Sequence, residues 1–338
     1  MTEATAFWTE EPGRGALRRE TVPVPDSDEV MVETLYSAIS RGTEALVFSG
    51  RVPSILYEVM RAPFQTGTFP GPVKYGYAAV GRVVQGPWDR VGQSVFVLHP
   101  HQDCFVVPAA AALPIPGIVP PERAVLAANM ETALNALWDS GVGPGDRVSV
   151  IGLGVVGLLA AWLVRGIPGT EVTAIDIDPA KRGIADALGL HFVTPDAALA
   201  PNAATGDADV VIHASGHPDG LVTALALAGF EARLVELSWY GTQPVTLPLG
   251  EAFHARRLDI RSSQVGAVSP SRRPRWNHTR RLAKALDLLA NPALDALIDD
   301  ESSFEALPDT LAALAAGKRH ALCHRVIYPA ALTTVASE

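Results

Sequence analysis

"VSVIGLGVVG", residues 148–157, decides the fold of this chain, because an apolar strand runs directly into a glycine-rich turn. Its glycines follow the G-x-G-x-x-G spacing of dinucleotide-binding turns. The first permits a tight turn, the second lets the backbone approach a pyrophosphate, and the third allows close helix packing. The helix that follows would present its first N–H groups to the phosphates. The residues predicted to bind the cofactor here are Gly152, Gly154, Val155, Val156 and Gly157.

The next strand-like segment, "TEVTAIDID" (170–178), supplies an acidic residue where a ribose would need one. Asp176 stands 19 residues after Gly157, and its carboxylate can accept hydrogen bonds from both ribose hydroxyls. A 2′-phosphate would be repelled by this charge, so the sequence favours NAD over NADP. Lys181 and Arg182 lie nearby on the following helix, where they could simply be solvated. NADP therefore remains the alternative cofactor.

Strands and helices alternate from this turn to about residue 265, as in a doubly wound parallel sheet. The first 117 or so residues instead contain β-branched and aromatic runs separated by proline and glycine. The tail returns to helices and a short terminal strand. We therefore predict an α/β protein with a β-rich domain of residues 1–120, completed by 266–338, and a Rossmann dinucleotide-binding domain of residues 121–265.

Composition narrows the classes of function. At 338 residues the chain is long for one core, which favours two domains. No apolar run approaches the roughly 20 residues that cross a bilayer, and the N-terminus shows no export-signal pattern, so a cytoplasmic protein is expected. Cys104 and Cys323 are too few for a four-thiolate zinc site. The net charge of −9 argues against general nucleic-acid binding.

Two further stretches, "ISRGTEALVFSGRVP" (39–53) and "GYAAVGRVV" (76–84), complete a pattern that covers nearly the full chain. Together with the glycine-rich turn, they resemble the medium-chain dehydrogenase/reductase superfamily, and within it the branch that includes bacteriochlorophyllide a dehydrogenase. The resemblance implies a GroES-like β-domain, an inserted Rossmann domain, nicotinamide-linked activity and a homodimer formed through the last Rossmann strand. The branch likeness is carried by Ile39, Ser40, Gly42, Thr43, Glu44, Gly50, Arg51, Pro53, Gly76, Tyr77 and the run from Val80 to Val84.

The resemblance also assigns residues to the surroundings of the cofactor. Thr132 would lie near the nicotinamide, and Ser215 and Gly216 would follow the fourth strand of the Rossmann sheet. Trp239 and Tyr240 could be core aromatics, yet ligands bind at the carboxyl ends of strands in such sheets. The nicotinamide floor would be formed by Ser238, Trp239, Tyr240, Ser263 and Gln264.

The zinc positions of alcohol dehydrogenases in this superfamily hold poor ligands here. Ser40 stands at the place of the first cysteine, Tyr77 and Ala78 at the place of a His-Glu pair, and Ala128 at the place of a later Cys or Asp. Zinc needs three or four nitrogen, thiolate or carboxylate donors. We therefore predict no catalytic zinc.

"HPHQDC" (99–104) offers a second possibility for a metal. If this stretch is a strand, His99, His101 and Asp103 share one face. The plainer interpretation is a polar strand end, with His101 facing the substrate or Tyr77.

Without zinc, side chains must neutralise the oxyanion charge that develops during hydride transfer. The candidate catalytic residues are Ser40, Thr43 and Tyr77 as a hydroxyl relay that donates the proton, and His101 as a general acid/base. The two short hydroxyls could instead cap the loop through side-chain hydrogen bonds, and Tyr77 could be a packing residue.

Other charged or titratable residues of the sequence are expected to have structural roles. Glu44 is expected to pair with Arg41 or Arg51, and His213 to be a buried, hydrogen-bonded histidine. The segment "SRRPRWNHTRR" (271–281) is expected to be a solvated helix start or an oligomer contact. The alternative for this segment is a guanidinium patch that attracts a carboxylate- or phosphate-bearing substrate.

The predicted function is zinc-independent, NAD(H)-linked hydride transfer on a bulky alcohol/carbonyl substrate. The first alternative is an enone or quinone reductase that acts on a C=C bond. The second is a dinucleotide-binding sensor or scaffold without catalysis. The expected partners are a small-molecule substrate and a second copy of the chain, with no nucleic acid and no membrane.

Overall fold

The computed structural model describes residues 1–201, 203 and 205–330, and the chain divides into two compact units. The β-rich unit is Met1–Ala128 with the chain from Leu286 onward, and the parallel-sheet unit is Asn129–Ala285. The last eight residues of the predicted segment 266–338 lie outside the described residues.

The elements follow in chain order. The first part contains β1 (Thr2–Glu11), β2 (Arg14–Val22), β3 (Glu29–Ile39), α1 (Arg41–Phe48), β4 (Thr66–Gly67), β5 (Val73–Lys74), β6 (Ala79–Gln85), β7 (Ser94–Val97), β8 (Cys104–Pro108), β9 (Leu113–Pro114), α2 (Pro121–Ala124) and α3 (Ala127–Ser140). The middle contains β10 (Arg147–Ile151), α4 (Val155–Arg165), β11 (Glu171–Ile175), α5 (Arg182–Ala187), β12 (His191–Val193), α6 (Pro195–Ala198), β13 (Ala208–His213), α7 (Pro218–Leu227), β14 (Ala228–Glu236), β15 (Asp259–Ser262) and α8 (His278–Leu288). The last part contains β16 (Ile298–Ser303), α9 (Leu307–Ala315) and β17 (Cys323–Ile327).

Two sheets make up the β-rich unit. One has the strand order β2-β1-β5-β4, and the other has the order β16-β17-β3-β6-β7-β9, with β8 also paired to β3. Neighbours cover β3 along both edges, so most of its side chains are buried, which explains its long apolar run. Among the described residues no helix is both long and apolar enough to cross a membrane.

The parallel-sheet unit is built on one six-stranded sheet in the order β12-β11-β10-β13-β14-β15. All neighbouring pairs in it are parallel. The chain winds outward from β10 first through β11 and then, on the other side, through β13. Ligands bind outside the carboxyl ends of the strands at such a switch point. The predicted fold class, a GroES-like β-rich domain plus a doubly wound Rossmann sheet, is confirmed.

A buried arginine ties α8 to the parallel-sheet unit. The Arg281 side chain is 1% exposed, and its Nε donates to Glu131 Oε1 at 3.0 Å. Its Nη1 donates to Asn135 Oδ1 at 2.6 Å, and the carbonyl oxygens of Val265 and Ala267 accept from the same guanidinium. A guanidinium has five N–H groups in one plane, which suits it to hold several segments at once.

This arginine explains two differences from the sequence expectations. The chain returns to the β-rich unit at Leu286 and not at residue 266, because Arg281 keeps the start of α8 with the parallel sheet. The segment 271–281 is also not wholly solvated. Its other arginines, Arg272, Arg273, Arg275 and Arg280, are exposed, whereas Arg281 is buried.

We expect Arg281→Met to lower the free energy of unfolding by about 3 kcal/mol, because the Glu131 carboxylate would stay buried without its counter-charge. The matched control is Arg280→Met, since Arg280 is exposed and lies over the Trp276 ring. Its loss should cost less than about 1 kcal/mol. Urea denaturation followed by circular dichroism measures both. Equal losses would contradict the role given to Arg281.

Candidate functional site

The glycine-rich turn has the backbone geometry that its spacing predicts. Gly152 has φ +92°, a left-handed conformation that favours glycine, and a Cβ there would lie 2.4 Å from the backbone that follows β13. A Cβ on Gly157 would lie 1.9 Å from the Gly152 carbonyl oxygen. Gly154 is the N-cap of α4, and a Cβ there would meet no described atom within 4 Å. A pyrophosphate can therefore approach the first N–H groups of α4, those of Val155 and Val156.

Asp176 follows β11 and is fixed by two backbone donors. Leu153 N–H donates to its Oδ2 at 2.6 Å, and Asp178 N–H donates to its Oδ1 at 2.9 Å. The carboxylate thus lies against the glycine-rich turn on the β11 side, with lone pairs left to accept ribose hydroxyls. Ile177, the next residue, is 84% exposed and offers an apolar surface beside it. Arg182 lies over an aromatic ring of β12, with its guanidinium carbon 4.8 Å from the ring centroid.

A second polar cluster lies at the carboxyl ends of β13 and β14. His213 Nδ1 is 2.8 Å from Glu236 Oε2, and its Nε2 is 2.6 Å from Ser215 Oγ. Ser238 N–H donates to Glu236 Oε1 at 2.6 Å, and the Tyr240 hydroxyl donates to Oε2 at 3.1 Å. Burial acts to raise the pKa of Glu236, but the hydrogen bond from His213 and the donors of Ser238 hold it below its usual value. His213 is fully buried and hydrogen-bonded, as predicted.

The residues expected at the nicotinamide floor separate into two groups. Gly216 N–H donates to Ser238 Oγ at 3.1 Å, which joins the loops after β13 and β14. Ser263 is buried, and its hydroxyl donates to Asp139 Oδ2 at 2.7 Å. Gln264 is exposed and accepts the N–H of Gly266. The structure thus brings together Ser215, Gly216, Ser238, Trp239 and Tyr240, whereas Ser263 and Gln264 are engaged elsewhere, and Thr132 is half-buried in α3.

In the β-rich unit, three predicted catalytic hydroxyls lie together. Ser40 is the N-cap of α1, but its hydroxyl makes no capping hydrogen bond among the described residues. Thr43 stands in the first turn of α1, and Tyr77 precedes β6. Burial and the Glu44 charge raise the pKa of Tyr77 to about 12, while hydrogen bonds with Ser40 and Thr43 act in the opposite direction. The phenol is therefore protonated at neutral pH and can donate a proton.

Behind these hydroxyls runs a buried chain of hydrogen bonds. Glu44 is 3% exposed, accepts the Ser40 N–H at 2.8 Å, and lies 2.8 Å from His101 Nε2. His101 Nδ1 lies 2.7 Å from Ser37 Oγ, which is 3.1 Å from the hydroxyl of Tyr328. A carboxylate only accepts, so His101 donates to Glu44 through Nε2, and its Nδ1 is hydrogen-bonded with the Ser37 hydroxyl.

This chain of hydrogen bonds corrects the expected partner of Glu44 and shows the surroundings of His101. Glu44 pairs with His101 and not with Arg41 or Arg51, because its side chain points into the unit and not toward solvent. The His101 ring is 1% exposed and both of its nitrogens are engaged, so its role as a general acid/base stays a prediction. Glu44 links His101 to the hydroxyl cluster, because it contacts both His101 and the Ser40 N–H.

"HPHQDC" does not gather metal ligands. Residues 99–103 lie between β7 and β8 and do not form a strand that aligns their side chains. The His99 ring stacks on Phe105 with centroids 3.7 Å apart, and Asp103 Oδ1 accepts the Thr5 N–H at 2.7 Å. Across the described ranges, no group of three or more His, Cys, Asp or Glu residues is placed to hold a metal ion.

Comparison with known proteins identifies similar dehydrogenases. The profile described as "Zinc-binding dehydrogenase" matches residues 155–291. The chain is 25% identical to D-guloside 3-dehydrogenase of Escherichia coli (strain K12), over 84% of this chain and 88% of that protein. It is 28% identical to 2-desacetyl-2-hydroxyethyl bacteriochlorophyllide A dehydrogenase of Rhodobacter capsulatus, over 68% of this chain and 71% of that protein.

Solved structures show the same fold at lower identity. One is described as a zinc-binding dehydrogenase from Sinorhizobium meliloti 1021 bound to NADP, with TM-score 0.75, 21% identity, and coverage of 97% of this chain and 100% of that one. Another is described as a short chain alcohol dehydrogenase from Escherichia coli CFT073 complexed with NADH, with TM-score 0.75, 18% identity and the same coverage.

These findings define an enzyme of the dehydrogenase/reductase class. The predicted resemblance to the medium-chain dehydrogenase/reductase superfamily, in its zinc-type alcohol dehydrogenase-like part, is confirmed by the profile match and by these relatives. The predicted likeness to the bacteriochlorophyllide dehydrogenase branch is confirmed by the relative from Rhodobacter.

Sequence reasoning missed two buried pairs, Glu44 with His101 and His213 with Glu236. Each had a weak local signal. Glu44 stands four residues after the N-cap serine of α1, and Glu236 is an acidic residue at the end of the apolar run "LVE". Neither signal names the partner, because the partners are 57 and 23 residues away.

The buried His99 should make the free energy of unfolding depend on pH. Burial lowers the pKa of His99 to about 3, whereas an unfolded histidine titrates near 6.5. Between these values the unfolded chain binds the extra proton, so stability present above pH 6.5 is lost as the pH falls, at up to about 1.4 kcal/mol per pH unit. His99→Phe, which keeps the stack on Phe105, should make this loss shallower. His254→Phe, at an exposed histidine, should not. Urea melts at pH 7 and pH 5 measure the slopes, and identical slopes for wild type and His99→Phe would refute the assignment.

Proposed function

We propose that this enzyme is an NAD(H)-linked oxidoreductase that transfers hydride between the nicotinamide and an alcohol or carbonyl substrate without zinc. The observation that carries the proposal is the hydroxyl cluster of Ser40, Thr43 and Tyr77. Two of its members, Ser40 and Tyr77, stand at sequence positions where the resemblance places zinc ligands. The cluster offers a proton donor in place of a Lewis acid.

The glycine-rich turn supports the cofactor part of the proposal. The close approach of Gly157 to Gly152 and the open space beside Gly154 fit a pyrophosphate at the start of α4. The Asp176 carboxylate, held beside the glycine-rich turn, can accept ribose hydroxyls, and its charge opposes a 2′-phosphate, which supports NAD. Solved neighbours bind NADP in one case and NADH in the other, so a nicotinamide cofactor is supported by both.

The donor set does not fit a catalytic zinc. Ser40 offers a hydroxyl, Ala128 a methyl group, and Tyr77 a phenol whose pKa is raised to about 12. Zinc sites use imidazole, thiolate or carboxylate donors. The carboxylate nearby, that of Glu44, already accepts from Ser40 N–H and from His101.

A reaction without zinc follows from the protonation state of Tyr77. The reduced nicotinamide, when bound, supplies the hydride to the carbonyl carbon. The Tyr77 hydroxyl donates its proton to the oxygen as negative charge develops there, and Ser40 and Thr43 hydrogen-bond the phenolate that remains. In alcohol oxidation the same groups act in reverse. Glu44 holds the N-terminus of α1, and with it Ser40, in position.

The substrate class and assembly complete the proposal. The relatives' names refer to a D-guloside and to a hydroxyethyl-bearing bacteriochlorophyllide, which supports a bulky alcohol. A homodimer through the last Rossmann strand and a cytoplasmic location are part of the proposal on the superfamily resemblance and the sequence alone.

Stopped-flow measurement of NADH oxidation with a panel of ketones and enones tests the function, with chelator present. Ketone reduction should proceed unchanged by the chelator. Tyr77→Phe should lower turnover by about 100-fold while the Kd for NADH stays within about two-fold, because the proton donor is lost and the cofactor turn is untouched. Tyr75→Phe is the matched control, since Tyr75 is buried beside Tyr77 with ring centroids 6.0 Å apart.

Other outcomes would decide against the proposal. Turnover on enones alone would favour the C=C reductase. Tight NADH binding without turnover on any member of the panel would favour the sensor or scaffold. Loss of turnover on chelation would restore a metal, and unchanged turnover of Tyr77→Phe would remove Tyr77 from the reaction.

The preference for NAD over NADP is tested by a substitution of Asp176. Asp176→Ala should weaken NADH binding by about ten-fold or more and NADPH binding much less, because only the unphosphorylated ribose gives its 2′-hydroxyl to the carboxylate. Loosening of the turn through the lost Leu153 contact would affect both cofactors alike. Asp178→Ala, which removes the neighbouring carboxylate that caps Ala180 N–H, is the control. Fluorescence titration measures the affinities, and equal losses for the two cofactors would overturn the preference for NAD.

A further inference from the structure

We infer that Glu236, held by His213, provides a fixed negative charge that strengthens the binding of oxidised nicotinamide relative to the reduced form. This inference rests on the proposed dinucleotide site. It concerns a buried pair that the proposed hydride and proton transfers do not use.

The strand order places this charge on the nicotinamide half of the cofactor. Asp176, which would take the adenosine ribose, follows β11, and the pyrophosphate position lies between β10 and α4. The sheet continues from β10 to β13 and β14 on the side opposite β11. A dinucleotide that runs across the carboxyl edge therefore carries its second half over β13 and β14. Adjacent strands are about 4.8 Å apart, so β14 lies about 10 Å from β10, within reach of that half.

The hydrogen bonds around Glu236 fix it as a carboxylate. Three donors point at its two oxygens: His213 through Nδ1, Ser238 through its N–H, and Tyr240 through its hydroxyl. Its side chain is 13% exposed, so solvent screens it only in part. The His213 side chain is completely buried.

The two members of the pair differ in how far they lie from solvent. The His213 ring is completely buried, with Nδ1 2.8 Å from Glu236 Oε2 and Nε2 2.6 Å from the Ser215 hydroxyl. That hydroxyl accepts the His217 N–H at 3.1 Å and donates to the His217 carbonyl oxygen at 3.3 Å. The Glu236 carboxylate is thus the outer, negative group of the pair, at the carboxyl end of β14.

A charge of this sign separates the two redox forms of the cofactor. The nicotinamide ring carries a positive charge when oxidised and is neutral when reduced. A partly buried carboxylate attracts the first form and not the second. The same difference lowers the reduction potential of the bound cofactor, so it favours hydride transfer from the bound reduced nicotinamide to a carbonyl over alcohol oxidation.

The test is the ratio of two dissociation constants, Kd for NAD⁺ over Kd for NADH, in Glu236→Gln. Glutamine keeps the size and one oxygen acceptor but removes the charge. The ratio should rise by about 3- to 10-fold, mainly through weaker NAD⁺ binding. Calorimetry gives the first constant and NADH fluorescence the second, and NADP⁺ and NADPH are measured in parallel.

Two variants serve as controls. Glu236→Asp keeps the charge and should keep the ratio near that of the wild type, even if both affinities fall. Asp207→Asn removes a carboxylate just before the amino end of β13, the strand that carries His213, and should leave the ratio unchanged. If Glu236→Gln does not fold, the double variant His213→Leu/Glu236→Met replaces the pair by apolar side chains, a change that buried ion pairs often tolerate. Its ratio should rise in the same way.

Equal weakening of both redox forms would reduce Glu236 to a structural role and overturn the inference, while the dinucleotide site would stand. A wild-type protein that binds neither redox form of either cofactor would overturn both. An unchanged ratio in the double variant would also overturn the inference.

Discussion

One close approach governs the parallel-sheet unit: the backbone of α4 meets the turn after β10 with no room for a side chain. The Gly152 carbonyl oxygen would be 1.9 Å from a Cβ on Gly157. This contact sets the helix close to the strand and directs its N-terminus to the edge of the sheet. The location of Asp176 follows, because its carboxylate is bound by the Leu153 N–H of the same turn. The sites argued for the cofactor all depend on that geometry.

The two units use buried acidic residues in the same way. Glu44 and Glu236 each pair with a buried histidine and also accept a backbone N–H from a residue carrying a hydroxyl, Ser40 in one unit and Ser238 in the other. A buried carboxylate is costly unless several donors satisfy it, so each glutamate fixes the loop that supplies them. In both units the loops so fixed carry the hydroxyls assigned to chemistry or to the cofactor.

Local sequence patterns predicted the fold. The family resemblance that they carry also predicted that Ser40, Thr43 and Tyr77 lie together, and that the loops after β13 and β14 do so. Glycine spacing and apolar strands involve residues close together in the chain, so the sequence alone predicts them. The hydrogen-bond partners that the sequence did not reveal are set by the tertiary fold. Glu44 meets His101 because β3 and the segment before β8 are neighbours, and Ser263 turns to Asp139 in α3. Arg281 was grouped with its exposed neighbours because a basic run does not show which member turns inward.

In the sequence, the parallel-sheet unit is inserted between the two parts of the β-rich unit, and this order has a consequence for synthesis on the ribosome. The parallel-sheet unit is one continuous stretch, so it can become compact as soon as that stretch has emerged. The β-rich unit must wait, because β17 lies between β16 and β3 and Tyr328 hydrogen-bonds with Ser37. During that interval the edge of β3 lacks its neighbour, and nascent chains are then open to wrong strand pairing and to chaperone capture.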